Sequence, residues 1–478
     1  MKKNALCLTR LQLFARVLVF RTRGIVHSFF DGSAYAVCLG GLCIIGHIFA
    51  ADMITMSLSL LLTGVGILLL HNLLPLVATM MLFIYQISVS NSPASPSFSD
   101  YFMSPLRMIP LIALLVFVLL SAVYVMLRYR APSVNEIAAL PGIGASILLA
   151  AALMLNGVLS GQWRTESLIF GVVQAIALVA IPYVLIFGLL GISRERLLAS
   201  FCTVCAVAAA VLVIETVHLY LTGGVVVDGA VDKGRVLFGW GIWTTAGMDM
   251  SVLIPILFLG AMRGRAAPIY LILAHLCYTS AVLTLSRNAL VFATLSFVLS
   301  AIVYSVFGMY GVAYRRAIGV LAMLAVIFSP FYADSVARLL GDYIERGFSD
   351  NGRFALWSYG VECFLESPIF GKGFFALKTD TFRAENIFPP MLHNTLVELA
   401  AATGAAGLVS YLIFRVRTLF LFLRGITVEK LLLFFSMLTL LAMSLFDNFV
   451  FHVQPTFVFS ACYAVGYLYP GRGEGELM

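Results

Sequence analysis

The sequence predicts an all-α polytopic membrane protein with about 12–14 spans and one long external loop. Three observations carry this reading. Of 478 residues, 61% are hydrophobic and 11% charged, where a soluble domain carries about 25% charged residues. The shortage of charge extends over nearly the whole length, which excludes a soluble enzyme, a disordered chain and a coiled coil. Apolar runs long enough to cross a bilayer recur. They are continuous instead of alternating, so they read as helices and not as barrel strands.

Each element follows in order. Residues 1–32 are basic and broken by charges, so they read as a cytoplasmic arm or interfacial helix, with no cleavable signal. Spans are expected at 33–51, 54–70, 72–90, 109–127, 139–160, 168–191 and 197–221, which form the N-terminal set. Seven more follow at 248–263, 267–285, 288–307, 316–333, 392–415, 429–447 and 450–468. The first three are crowded, which sets the lower bound on the count. Residues 469–478 form a tail. An even number of crossings puts both termini on one side, and the positive-inside rule makes that side cytoplasmic. Nineteen of the 30 basic residues then fall inside, Arg415, Arg417, Arg424 and Lys430 among them. The net charge of +7 therefore reflects topology, and no nucleic-acid partner is indicated, since that needs a clustered basic face.

Several polar signals are weak. Cys202-x-x-Cys205 lies in an apolar run without His or carboxylate, so burial as small hydrophobes is favoured over redox or metal chemistry. Glu215-x-x-His218 is a single pair where a di-iron bundle needs two. No metal site or cofactor is expected. His27, His47, His71 and His275 show no partner pattern. Asp249, Asp447, Asn448 and His452 are expected to line an outer vestibule or cap helices.

Residues 331–392 hold 14 of the chain's 53 charged residues and form the external loop (331–391), a length usually functional or disordered. Val336, Leu339, Leu340, Tyr343 and Ile344 have the spacing of an interfacial helix. A second helix is expected over 353–366, burying Phe354, Trp357, Val361 and Phe364. Pro368-Ile-Phe-Gly371-Lys-Gly373 ends it, and Pro389-Pro390 forces an extended approach to the next span.

Three external arginines suit an anion such as a diphosphate, because each guanidinium can make paired hydrogen bonds to phosphate oxygens. Arg353 starts the second loop helix, where the helix dipole favours an anion. Arg287 sits in a tight turn between spans, and Arg235 precedes the span at 248–263. For one arginine alone, snorkelling or headgroup contact explains the position as well; the trio favours the anion. His393, placed in the first turn of a span, is the candidate base, since a helix N-terminus and nearby arginines favour the neutral ring. Asn394 and Glu398 share a face at i, i+4. Glu398 is an intramembrane carboxylate, a functional candidate by default. It could orient a substrate hydroxyl or pair with an arginine.

Gly352-Arg353, Trp357, Pro368-Ile-Phe-Gly371-Lys-Gly373, His393-Asn394 and Gly404-Ala-Ala-Gly407, with Ser286-Arg287 and more loosely Arg235, resemble the signature of the O-antigen ligase/polymerase superfamily. The resemblance covers roughly residues 222–452, within a C-terminal region 222–468. Asn288 departs from the small residue usual there, and Gly241-Ile-Trp-Thr replaces an Asn-containing stretch.

The resemblance implies a GT-C-like, metal-independent, inverting glycosyltransferase of the bacterial cytoplasmic membrane. Its donor would be a glycan on undecaprenyl diphosphate and its acceptor a sugar hydroxyl, on the external face. The acceptor distinguishes a polymerase (another lipid-linked repeat) from a ligase (lipid A core or another surface acceptor). Membrane lipids and other polysaccharide assembly proteins are the remaining implied partners. A flippase or transporter, or a noncatalytic partner in an export complex, is the alternative class. Transporters usually show two similar halves, which this chain lacks.

Overall fold

The computed structural model describes residues 24–30, 33–91, 104–227, 230–327, 341, 352–377 and 391–469, apart from the single residues 25, 162 and 325. The described residues are 80% helical, as in an all-α polytopic membrane protein. The helices are α1 (Ser33–Phe49), α2 (Asp52–Leu70), α3 (Leu74–Leu82), α4 (Pro105–Tyr129), α5 (Val134–Ala138), α6 (Ile143–Met154), α7 (Thr165–Leu189) and α8 (Arg194–Thr222). Then come α9 (Trp243–Ala261), α10 (Ala267–Leu283), α11 (Arg287–Phe307), α12 (311–324), α13 (Arg353–Glu366), α14 (Thr395–Leu423), α15 (Val428–Met443) and α16 (Val453–Leu468).

Seven of these are long and apolar enough to cross a membrane: α2, α4, α7, α8, α9, α11 and α14. Others among the fourteen expected spans form shorter helices. Residues 139–160 yield only the 12-residue α6, and 72–90 yield α3 followed by a 3-10 turn. Pro75 at the start of α3 fixes where that helix can begin. Most of the N-terminal arm and of the expected interfacial helix at 336–345, together with Pro389-Pro390, lies outside the described residues; residues 24 and 26–30 of the arm are helical.

Helix α9 is the centre of the bundle. Nearly all of it is buried, against α8, α10, α11 and α15. Its apolar surface runs all round, as a helix enclosed by others requires. Before it, two short antiparallel hairpins occupy the α8–α9 connection: Val226–Val227 with Ala230–Val231, and Leu237–Phe238 with Gly241–Ile242.

Several expectations are corrected by packing. Arg415 is not at a cytoplasmic surface. It is buried within α14, its guanidinium 3.8 Å from the Phe459 ring centre and 5.0 Å from that of Tyr411. The helix phase turns it inward, and aromatic faces replace water around the cation. Lys430 is buried too, with Nζ donating to the Arg424 carbonyl. Asp249, buried in α9, accepts from the Tyr85 hydroxyl at 3.1 Å. Glu215 accepts from Trp240 Nε1 at 2.9 Å, and His47 stands 3.8 Å from it, so His47 does have a partner. Cys202 and Cys205 are free, buried thiols.

Candidate active site

The turn after α15, residues 443–448, brings two helix starts together. Asn288 Nδ2, in the first turn of α11, donates to the Met443 carbonyl at 3.1 Å. The Thr395 backbone N–H, opening α14, donates to the next carbonyl, Ser444, at 3.0 Å. Asn394 Nδ2 donates to Leu445 O at 2.8 Å. Arg287 therefore sits beside the same turn that holds His393-Asn394-Thr395. Both helix N-termini add partial positive charge there.

Asn394 caps α14: its side-chain oxygen accepts from the N–H groups of Leu396 and Val397 at 2.9 and 3.1 Å. This is the favoured use of Asn at a helix start. The side chain is committed to the protein on both its oxygen and its nitrogen, and so serves the turn instead of sharing a free face with Glu398.

His393 is not in the first helical turn. It precedes the cap, with φ of 51°, a left-handed conformation that His adopts more readily than most residues yet at some cost. Nδ1 lies 3.0 Å from Asp447 Oδ1. A carboxylate only accepts, so Nδ1 carries the proton of this bond and the neutral ring presents Nε2 as its free base. The histidine is thus set by a carboxylate partner, not chiefly by arginines and the dipole. The His393 side chain is 41% exposed and that of Asp447 10%. Burial raises the Asp447 carboxyl, but the hydrogen bond and charge of His393 and the Asn448 N–H outweigh it, holding the group below the ordinary carboxylate range. Asp447 is 54 residues from His393, and only its position after an apolar run signalled it.

Glu398 is buried. Its Oε2 accepts from the Leu392 N–H at 3.2 Å, and its carboxyl also meets the Asn448 side chain. It ties the Leu392 backbone to the Asn448 side chain, the residues flanking the His393–Asp447 pair, and pairs with no arginine among the described contacts.

Arg353 opens α13 after Gly352, whose φ is 77°. α13 runs parallel to the start of α14. Gly360 lies so close to Val397 and Leu392 that a Cβ would overlap both, while further on Ala405 N donates to Pro368 O at 2.8 Å and Ala406 N to Ile369 O at 3.0 Å. Arg353 therefore lies at the same end as His393 and Arg287. The buried face of α13 is Gly360 and Cys363 with Leu356 and Tyr359 beside them. Phe354 and Val361, expected inside, are 63% and 50% exposed. Gly360 decides the phase, because only a side with no side chain can approach α14 this closely.

Arg235 stands apart. It is exposed, paired with Asp232 at 3.2 Å, and donates to the Gly224 carbonyl at 3.2 Å. No described contact joins it to the other two arginines.

The two glycine motifs interlock. α14 is broken at Gly404, with φ 65° and ψ −163°, a region essentially reserved for glycine. The Pro368–Gly373 segment fills the break. Lys372 N donates to Ala401 O at 2.8 Å and Gly373 N to Ala402 O at 2.9 Å. On its other side the Phe374 N–H reaches Asn156 Oδ1 at 3.1 Å, and Ser160 Oγ donates to Lys372 O at 3.1 Å.

Residues 270–412 match the family model described as O-antigen ligase. The match supports the O-antigen ligase/polymerase superfamily. A comparison with curated proteins found no match. The ligase-type segment takes in Arg287, Arg353, the interlocked glycines, His393 and Glu398. Arg235 and Asp447 lie outside it.

Proposed function

We propose that this protein transfers a glycan from a polyprenyl diphosphate, of the undecaprenyl kind, to a sugar hydroxyl at the external face of the bacterial cytoplasmic membrane. The observation that carries the reading is the His393–Asp447 pair at the same end of the molecule as Arg287 and Arg353. His393 Nε2 takes the proton of the acceptor hydroxyl as that oxygen attacks the anomeric carbon. The bond from that carbon to the phosphate oxygen breaks, and the diphosphate leaves with the electron pair. Arg287 and Arg353 stabilise the charge it gains. Attack from the face opposite the leaving group inverts the anomeric configuration. The O-antigen ligase match supports a lipid-linked glycan donor in general.

The test uses purified protein in lipid nanodiscs with lipid-linked repeat units, alone or with lipid A core. Chain growth from repeats alone identifies a polymerase; transfer only with core present identifies a ligase. His393→Ala is expected to lose transfer at least a thousandfold while keeping its melting temperature. Near-normal transfer by that variant overturns the assignment.

A further inference from the structure

α13 carries an apolar stripe on the side away from the bundle. Val361, Leu365 and Ile369 are 50%, 69% and 63% exposed, and Phe354 is 63% exposed. On a helix of 100° per residue, positions 354, 361 and 365 fall within about 40° of one another. The opposite side, Gly360 and Cys363, packs on α14. Glu362 and Glu366 lie on one flank, and Glu366 is paired with Lys372.

Depth follows from the contacts with α14. The two parts of α14 on either side of Gly404 together have 29 residues, at most about 43 Å of length, more than the roughly 30 Å hydrocarbon core. The first turns of α14 therefore reach the interface. Ile369 lies level with Ala406, eleven residues below Thr395, or roughly 16 Å. Arg353 lies at the opposite, outer end of α13, which ends at Glu366, three residues before Ile369. The helical part of the stripe thus starts beside a cation at the water-facing end and descends about 16 Å from Phe354 to Leu365, and Ile369 follows in the turn just beyond the helix end at Glu366. A polyprenyl diphosphate has the same order of parts: an anionic head, then a long apolar chain.

We propose that this face of α13 is the track for the donor's polyprenyl chain, with Arg353 at its head and Val361, Leu365 and Ile369 along the tail. This rests on the transferase reading and adds where donor chain length is sensed. An apolar contact here lowers KM for long-chain donors, while a short-chain donor ends before Val361 and does not use it.

The triple variant Val361→Ser, Leu365→Ser, Ile369→Ser tests this in nanodiscs. KM for a long-chain donor is expected to rise roughly tenfold or more, from lost apolar burial, with KM for a donor of two or three isoprene units unchanged. An equal effect on both donors, or on neither, overturns the proposal and leaves the stripe as bulk lipid contact. A second arm does not depend on turnover or on the variant folding. The wild-type protein is photolysed with a benzophenone-tagged polyprenyl diphosphate. Crosslinks within residues 354–369, competed by unlabelled polyprenyl diphosphate but not by phospholipid, support the track; crosslinks confined elsewhere overturn it. If the wild type transfers from no donor at all, the transferase reading fails, and this arm still decides the lipid site.

Discussion

Replacing Asp447 separates its two jobs at His393. The His393 Nδ1–H and the Asn448 N–H both donate to the same oxygen, Oδ1, at 3.0 and 2.9 Å. In Asp447→Asn the amide oxygen stays there, because turning the NH2 inward would face two donors. That variant keeps the ring orientation and loses only the charge. A charge-assisted hydrogen bond contributes about 1.5–3 kcal/mol against about 1 for a neutral one. The difference corresponds to a kcat reduced roughly two- to thirtyfold, with little change in donor KM. Asp447→Ala removes the partner altogether, so the ring is free to take the tautomer that protonates Nε2, and kcat should fall about a thousandfold. Single-turnover transfer at saturating donor reads both numbers. An Asp447→Ala enzyme within threefold of the wild type would refute the dyad. Stability gives an independent sign. Since the folded carboxyl is held below its ordinary value, its contribution is complete above the unfolded carboxylate pKa, about 3.9. It disappears as pH falls through the lower folded value. The wild type should lose melting temperature in that acid window faster than Asp447→Asn.

Arg287→Ala and Arg353→Ala should each raise donor KM roughly ten- to hundredfold, the loss of a charge-assisted contact to phosphate; titration with a polyprenyl diphosphate checks this, and unchanged binding removes the residue from the site. EDTA should leave the rate within about twofold, because arginines supply the positive charge that a divalent ion supplies elsewhere; strong inhibition restored by a divalent cation contradicts this. Gly404→Ala should destabilise by on the order of 3 kcal/mol, since the backbone there excludes a side chain and a Cβ would overlap the Ile369 carbonyl. A melting temperature equal to the wild type's would show that the break in α14 does not depend on glycine.

Apolar runs made the helices legible, because lipid imposes one simple rule on a spanning segment: satisfy every backbone group internally. That rule does not fix which side of a helix faces inward. Arg415 read as a surface cation because periodicity in an all-apolar helix cannot show phase; only Phe459 and Tyr411, contributed by packing, do so. In α13 the large apolar residues Phe354 and Val361 lie on the exposed side, because close packing on α14 selects Gly360, the residue with no side chain. In the site, His393, Arg287 and Arg353 were legible as polar residues where polarity is expensive. Asp447 was legible only as a residue of an outer vestibule or helix cap, since its pairing with His393 joins positions 54 residues apart. Asn394 showed a polar residue at the right place but not its function, which is to cap α14.

The break at Gly404 explains why the site needs a structured connection ahead of α14. A continuous helix would satisfy its own backbone and leave the Pro368–Gly373 segment without partners, at a cost of about 1–3 kcal/mol for each buried N–H or carbonyl left unpaired. Opening α14 at Gly404 frees backbone groups on both sides of the break, and the segment fills them: Ala401 and Ala402 accept, Ala405 and Ala406 donate. α13 is thereby anchored alongside α14 at its lower end and by Gly360 near the top, two attachments that fix its direction. Arg353, one turn above the packed Leu356, is then held at a set height relative to His393. The glycines contribute no chemistry of their own, yet they determine the distance between the proposed base and the proposed phosphate ligand. A side chain added at Gly404 should therefore affect donor use before it affects the proton transfer, because the break lies three turns along α14 from His393 and its loss moves the anchor of α13 and so Arg353.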